Sequence, residues 1–267
     1  MSGTRIGTPG SWIFLRGLTR EARHWGELPE RWVAHGLPPP LMIDLPGNGN
    51  ARHLPVPADV RGMAQAVRAA TRAARQSGPW HIVAMSLGAM VATDWAQTWP
   101  DEVASLVLVN TSMRPFSGVT ARLRPGNWTA LAGMIGHWRN RARCERTIHR
   151  LTCERLDTRD ADLARWVAIG LDAPVSRHAA WRQLMAAARF SAQPEAPRCP
   201  TLIVASDADR LVNPSCSTQL AAAWPAAQHV RHPWAGHDLP HDDPEWLCET
   251  VGAWQRVLAG CAPLPQA

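Results

Sequence analysis

The sequence predicts an α/β protein: a mostly parallel sheet with helices on both faces and an inserted helical cap. Two observations predict the sheet. Six short apolar runs bounded by turn residues recur along the 267 residues, and helical stretches lie between several of them. Strands alternating with helices are joined by crossovers, which makes neighbouring strands parallel. A third observation predicts the cap. From about 111 to 197 the alternation stops, and Trp- and Arg-rich helical patterns follow one another without a strand between them. A chain of this length accommodates one such core with an insertion, divided as 1–110 and 198–267 for the core and 111–197 for the cap.

The strands are expected at Ser11–Leu15, Leu41–Leu45, His81–Met85, Ser105–Val109, Thr201–Ala205 and Gln228–Arg231, each an apolar run too short for a helix. Leu37-Pro38-Pro39-Pro40 forms a stiff turn before the second. Asp59–Arg75 reads as a helix with an N-cap at its start, ending before Gly78, and Leu87–Trp99 as a helix stopped by Pro100. Ala161–Ile169 and Ala179–Phe190 are helical patterns of the insertion. Glu245–Leu258 closes the chain with Asp243 as cap, Pro244 at its first position and Gly260 beyond its end, and is expected to cover the final strands.

Composition narrows the class. Hydrophobic residues are 46% and charged residues 19%, ordinary for a globular protein. The net charge of +6 comes from arginine alone, because the chain has no lysine, and it has no tyrosine either. With abundant Ala and Pro this suggests a GC-rich coding bias; no basic run interleaved with aromatics points to nucleic acid. Cysteines 144, 153, 199, 216, 248 and 261 show neither close pairing nor metal-ligand spacing, so a reducing cytoplasm is expected and no disulfide framework. The apolar group Trp12–Leu15 is too brief for a signal-peptide core or a membrane span.

The chemistry concentrates at Ser86, in Ile82-Val83-Ala84-Met85-Ser86-Leu87-Gly88-Ala89-Met90, where an apolar strand meets an Ala-rich helix. A sharp strand-to-helix turn lifts the hydroxyl out of the sheet only if the residues two before and two after are small, and these are Ala84 and Gly88. A serine hydroxyl is a weak nucleophile until a histidine takes its proton and an acid fixes that histidine. His237, in Trp234-Ala235-Gly236-His237-Asp238-Leu239-Pro240, lies after the last strand and before the last helix, where such a base belongs. His232 and His241 are the alternatives. A metal site from His237, His241 and Asp242 is disfavoured because Pro240 argues against a helix there. For the acid, Asp209 follows a strand and precedes Leu211-Val212, which pack back on the core; Asp207 reads as a turn or capping residue. The Leu87 amide is one candidate oxyanion donor and Leu18, after Gly17, the other, with Thr19 alternatively capping an ordinary turn.

On Arg16-Gly17-Leu18, Asp44-Leu45-Pro46-Gly47-Asn48-Gly49, the turn at Ser86, Asp209-Arg210-Leu211-Val212 and Gly236-His237, the sequence resembles the α/β-hydrolase family over nearly its whole length. It is similar in particular to lipase/esterase-like members, which include the pimeloyl-acyl-carrier-protein methyl ester esterases. The resemblance implies Ser86 as nucleophile, Asp209 as acid, His237 as base, Leu18 and Leu87 as oxyanion donors, and no cofactor; no metal is expected either, because the sequence shows no second ligand cluster. Two residues depart from the pattern: Ala84 replaces the first glycine of the turn, and Arg16 stands where most relatives carry histidine. Two readings stay open for Arg16, a structural pair with a carboxylate or a contact to an anionic substrate group.

The expected activity is hydrolysis of a small-molecule carboxylic ester through an acyl-enzyme. Thioester hydrolysis on carrier- or coenzyme-bound chains, and a non-catalytic binding protein that keeps the fold, are the alternatives. The pocket is expected between sheet and cap. Trp128, Trp138, Trp166 and Trp181 read first as packing and second as an acyl-channel lining. Arginines 139, 141, 143, 146 and 150 form a solvated face that an acyl carrier protein is able to dock on.

Overall fold

A computed structural model describes residues 11–74 and 78–260. Arg75, Cys261 and the two ends of the chain named above lie outside the described residues. The six expected strands are present as β1 Trp12–Leu15, β2 Pro40–Ile43, β3 Trp80–Met85, β4 Val103–Val109, β5 Thr201–Ser206 and β6 Gln228–His232. They form one sheet in the order β2-β1-β3-β4-β5-β6, and every pairing is parallel. The edges shift by one or two residues from the apolar runs because sheet pairing continues through polar residues, as at Ser206 opposite His232.

The helices are α1 Leu28–Ala34, α2 Val60–Ala73, α3 Leu87–Thr98, α4 Val119–Arg122, α5 Trp128–Gly136, α6 Arg141–Thr152, α7 Arg159–Asp172, α8 Arg177–Arg189, α9 Ser215–Ala223, α10 Leu239–Asp242 and α11 Pro244–Leu258. Alternation along the strands sorts the core into two layers. Ile13, Leu15, Ile82, Ala84, Leu106, Leu108 and Ile203 join Val60, Met63 and Val67 of α2, the buried length of α3 and Leu220 of α9. Trp12, Phe14, Val83, Met85, Val107, Val109, Leu202 and Val204 join Leu28 and Trp32 of α1 and Leu247, Val251 and Trp254 of α11. The sheet is therefore covered on both faces, as the apolar residues that alternate to both sides of its central strands demand. The last helix does more than cover the final strands: it shares its layer with α1 and with side chains from β1 onward.

Local signals set the helix starts. Asp59 accepts from Gly62 N at 2.8 Å, Asn140 from Arg143 N at 3.0 Å, Ser176 from Ala179 N at 3.0 Å and Asp243 from Trp246 N at 3.0 Å. Helices α4 to α8 all lie between β4 and β5. Val175, Ala179, Ala186 and Phe190 seat α8 on the sheet layer that contains α3. Among the described residues no helix is long and apolar enough to cross a membrane.

Candidate active site

Ser86 occupies the turn between β3 and α3 with φ 54° and ψ −116°, a left-handed conformation that ordinary side chains avoid. Its surroundings hold it there. Ser86 N donates to Val109 O at 3.0 Å, and Ser86 O accepts from Thr111 Oγ1 at 3.1 Å and from the Ala89 and Met90 amides at 3.1 and 3.2 Å. Gly88 is required by close approach: a Cβ there would lie 2.5 Å from Leu15 O and 2.6 Å from Arg16 O. Gly88→Ala is accordingly expected to cost about 1–3 kcal/mol by overpacking against backbone that cannot yield, read as a lower urea midpoint.

His237 and Asp209 are joined directly, Nδ1 to Oδ2 at 2.7 Å, and both are almost fully buried. The second carboxylate oxygen accepts from Leu211 N and Val212 N at 2.8 and 2.9 Å, so Leu211-Val212 clamp Asp209 through their amides. With Nδ1 donating to the carboxylate, Nε2 is the ring nitrogen free to take a proton. A hydrogen bond from Ser86 Oγ to His237 is not among those of the described residues. The serine reaches the same corner through consecutive residues of β4's end: Val109 holds its amide, and Asn110 Nδ2 donates to His237 O at 2.8 Å and Gly236 O at 3.2 Å. The alternatives take other parts. Asp207 pairs with Arg231 on the surface, and His232 Nδ1 accepts from Ala235 N at 2.9 Å.

The loop after β1 carries the other candidate donor. Gly17 faces the serine, since a Cβ there would sit 3.2 Å from Ser86 Cβ and 3.7 Å from Oγ. Thr19 does not cap the next turn; it is left-handed at φ 58°, and Glu21 caps the short 3-10 turn Ala22–Trp25. Thr19 N donates to Gln183 Oε1 at 2.9 Å, while Gln183 Nε2 donates to Pro46 O at 3.0 Å and Asn48 Oδ1 at 2.8 Å. Leu18 thus lies in a loop held by Gln183 of α8. Leu87 is the first residue of α3, where an amide has no acceptor within the helix.

Arg16 resolves to the structural reading. Its guanidinium forms a buried bidentate pair with Asp238, at 2.9 and 2.6 Å, and also reaches Met85 Sδ at 3.3 Å and the Trp25 ring. Burial pushes the Asp238 carboxyl up, but the charge and hydrogen bonds of Arg16 outweigh it and bring the pKa down to about 2. Asp238 adjoins His237, so this pair pins the histidine loop to the end of β1. Pro240 does not prevent a helix there: α10 contains it in its first turn, where proline loses no bond. Asp242 is occupied by the amides of Gly236, Glu154 and Arg155.

Sequence reasoning missed Asn110, Gln183 and Asp238. Asn110 had a signal, because it follows a strand of a parallel sheet at the end where sites form and carries a positive φ that asparagine tolerates. Gln183 had none. Between β4 and β5, Trp166 is buried, while Trp128 and Trp181 are exposed. Arg141 turns inward to Glu145, leaving Arg139, Arg143, Arg146 and Arg150 on the exposed face.

Comparison with known proteins bears on the family. The family model for the alpha/beta hydrolase fold matches residues 41–244. RutD of Klebsiella pneumoniae (strain 342), named for carbamate hydrolysis, is 32% identical over 242 residues, covering 81% of this chain and 82% of its own. The pimeloyl-[acyl-carrier protein] methyl ester esterase of Chromobacterium violaceum is 40% identical over 93 residues, covering 35% of this chain and 32% of its own. An esterase from Exiguobacterium antarcticum superposes with a TM-score of 0.74 at 15% identity, over 93% of this chain and 92% of that one. By its sheet, its matched span and its relatives, the chain belongs to the α/β-hydrolase family and is an enzyme of that type.

Proposed function

We propose that the protein is a serine hydrolase of carboxylic esters, with Ser86 as nucleophile, His237 as general base and Asp209 as the acid that orients it. Residues 111–197 act as the cap over the substrate. The observation that carries the proposal is the left-handed turn at Ser86, at the head of α3, with a buried His237–Asp209 pair tied through Asn110 to the same end of β4 that holds the Ser86 amide. Strain of this kind persists where surrounding contacts impose it, and it projects the hydroxyl clear of the sheet.

In the reaction, His237 Nε2 takes the Ser86 proton as Oγ attacks the ester carbonyl. The oxyanion is met by the Leu87 and Leu18 amides, and the imidazolium returns the proton to the departing alcohol. Water, deprotonated by the same histidine, then releases the acid and restores Ser86. The hydrogen bond between serine and histidine tightens as substrate fills the site.

A carbamate is the second reading, favoured by the match to RutD across 81% of the chain. Its carbonyl is attacked by the same groups, so kcat/KM on matched ester and carbamate pairs separates the two. An acyl carrier protein as substrate carrier draws on the exposed Arg139, Arg143, Arg146 and Arg150 and on the shorter match to the Chromobacterium violaceum esterase; steep loss of activity with salt is its mark.

The primary test is covalent. A fluorophosphonate is expected to add once to the native protein, by intact mass, and not to Ser86→Ala or to heat-unfolded protein. A folded protein that takes no label overturns the proposal.

A further inference from the structure

We propose that His149, Cys153 and His241, completed by Asp162, form a binding site for a zinc-like divalent cation, one that joins the cap to the histidine loop. One nitrogen of each histidine and the Cys153 sulfur lie within 4.8 Å of one another. His149 lies in the last turn of α6, and Cys153 is the extended residue that ends it, its N–H donating to His149 O at 2.8 Å. His241 comes from α10, four residues beyond His237, and Asp162 from α7.

The histidines lack the partners that burial demands. His149 is 1% exposed, and its Nε2 has no hydrogen-bond partner. His241 Nε2 is buried and makes no hydrogen bond either, although Asp162 Oδ2, which accepts from Thr158 Oγ1 at 2.6 Å, is only 3.1 Å away. Native proteins rarely leave buried ring nitrogens unpaired. Ligand atoms converging on a common cation do show this arrangement, close together yet not directed at one another. Tetrahedral zinc with nitrogen, oxygen and sulfur ligands separates neighbouring ligand atoms by about 3.3–3.8 Å, inside the 4.8 Å within which these three atoms lie.

The donor set selects the ion. Two imidazoles, a thiolate and a carboxylate suit zinc and its neighbours rather than calcium or magnesium, which take oxygen. Burial holds the Cys153 thiol protonated, so binding forms the metal–sulfur bond and releases one proton to solvent. Acids Asp162, Asp238 and Asp242 and bases Arg20 and Arg159 act on these groups, and Arg16 already neutralises Asp238. Trp166 closes one side, with its ring 5.4 Å from that of His149 and 5.2 Å from that of His241. The side chain of His241 keeps 8% of its surface open, which gives the ion a way in.

His237 is not a ligand, so the cation has no part in the ester chemistry. Its effect is to staple α6 and α7 to the segment that follows His237, where Asp238 N already donates to Thr152 O at 2.7 Å.

The test is cobalt(II) titration of the full-length protein after treatment with chelator. One equivalent is expected to give visible bands of tetrahedral cobalt and a thiolate charge-transfer band in the near ultraviolet, both lost when zinc is added. Cys153→Ser is expected to remove the charge-transfer band, His149→Gln to weaken cobalt binding at least tenfold, and Cys144→Ala to change neither. Zinc at about a hundredfold excess over its Kd is expected to raise the wild-type Tm by about 5–10 °C. Folded wild-type protein without the bands overturns the site, with no appeal to the variants. A charge-transfer band that survives in folded Cys153→Ser also overturns it. Fluorophosphonate labelling is independent of these results, so the site and the proposed hydrolysis stand or fall separately.

Discussion

Ser86→Ala is expected to lower kcat on an activated ester by about 10⁶-fold. The hydroxyl oxygen is the bond-forming atom in the proposed mechanism, and nothing else in the turn substitutes for it. What remains is water attacking an ester that is still bound and polarised by the Leu18 and Leu87 amides. The fold is expected to be indifferent. The bonds that hold position 86 run through its backbone, to Val109, Thr111, Ala89 and Met90, and alanine keeps them all. Alanine also inherits the left-handed φ of 54°. The urea midpoint should therefore match wild type while turnover disappears. Ser86→Gly should move the midpoint up, because glycine adopts that conformation without the strain of about 1–3 kcal/mol. A variant with normal stability and more than a trace of activity removes Ser86 from the mechanism.

Arg16→Met is expected to destabilise the protein by about 3–5 kcal/mol, the largest effect on stability among the substitutions considered. The loss arises from Asp238, which becomes an unpaired carboxylate in a site that excludes water. Arg16→Met with Asp238→Leu should recover most of it, because two well-packed apolar side chains need no solvation. The pair also shapes the acid limb of the stability profile. The Asp238 carboxyl falls from its usual 3.8 to about 2 on folding. A depressed carboxylate contributes stability in full above the unfolded value and loses it as pH falls through the folded one, between about pH 4 and pH 2. The difference is worth about 2 kcal/mol. Urea titrations across that range should show wild type converging on the double variant. A constant gap would mean that the pair does not titrate with folding.

The strands were legible because each is a short apolar run flanked by turn residues, and their alternating side chains then divide between two helical layers. Asp209 and His237 were legible too, as residues that follow strands in a fixed chain order, and the structure brings them into contact. Helix α6 was not: five of its twelve residues, Arg141, Arg143, Arg146, His149 and Arg150, are basic, and they blur its apolar periodicity. Helix α10 escaped notice because Pro240 looks like a breaker until its first-turn position is known. The pairing of Arg16 spans 222 residues of sequence. No local pattern reports a contact at that range, and the same holds for Gln183, one of five polar residues in an alanine-rich helix.

Gln183 sets a limit on how far the proposed cap, 111–197, is a separate part. It is fully buried, yet it comes from α8, and three of its hydrogen bonds end on core loops, at Thr19, Pro46 and Asn48. Lifting α8 as a rigid flap would strip all three at once, so within the proposed cap this helix is the part bound to the core. A cap transplanted from a relative would have to bring a matching amide to the same spot. Without one, the graft would leave the Thr19 amide and the Pro46 carbonyl dry, and the loop bearing Leu18 would lose the brace that sets its aim.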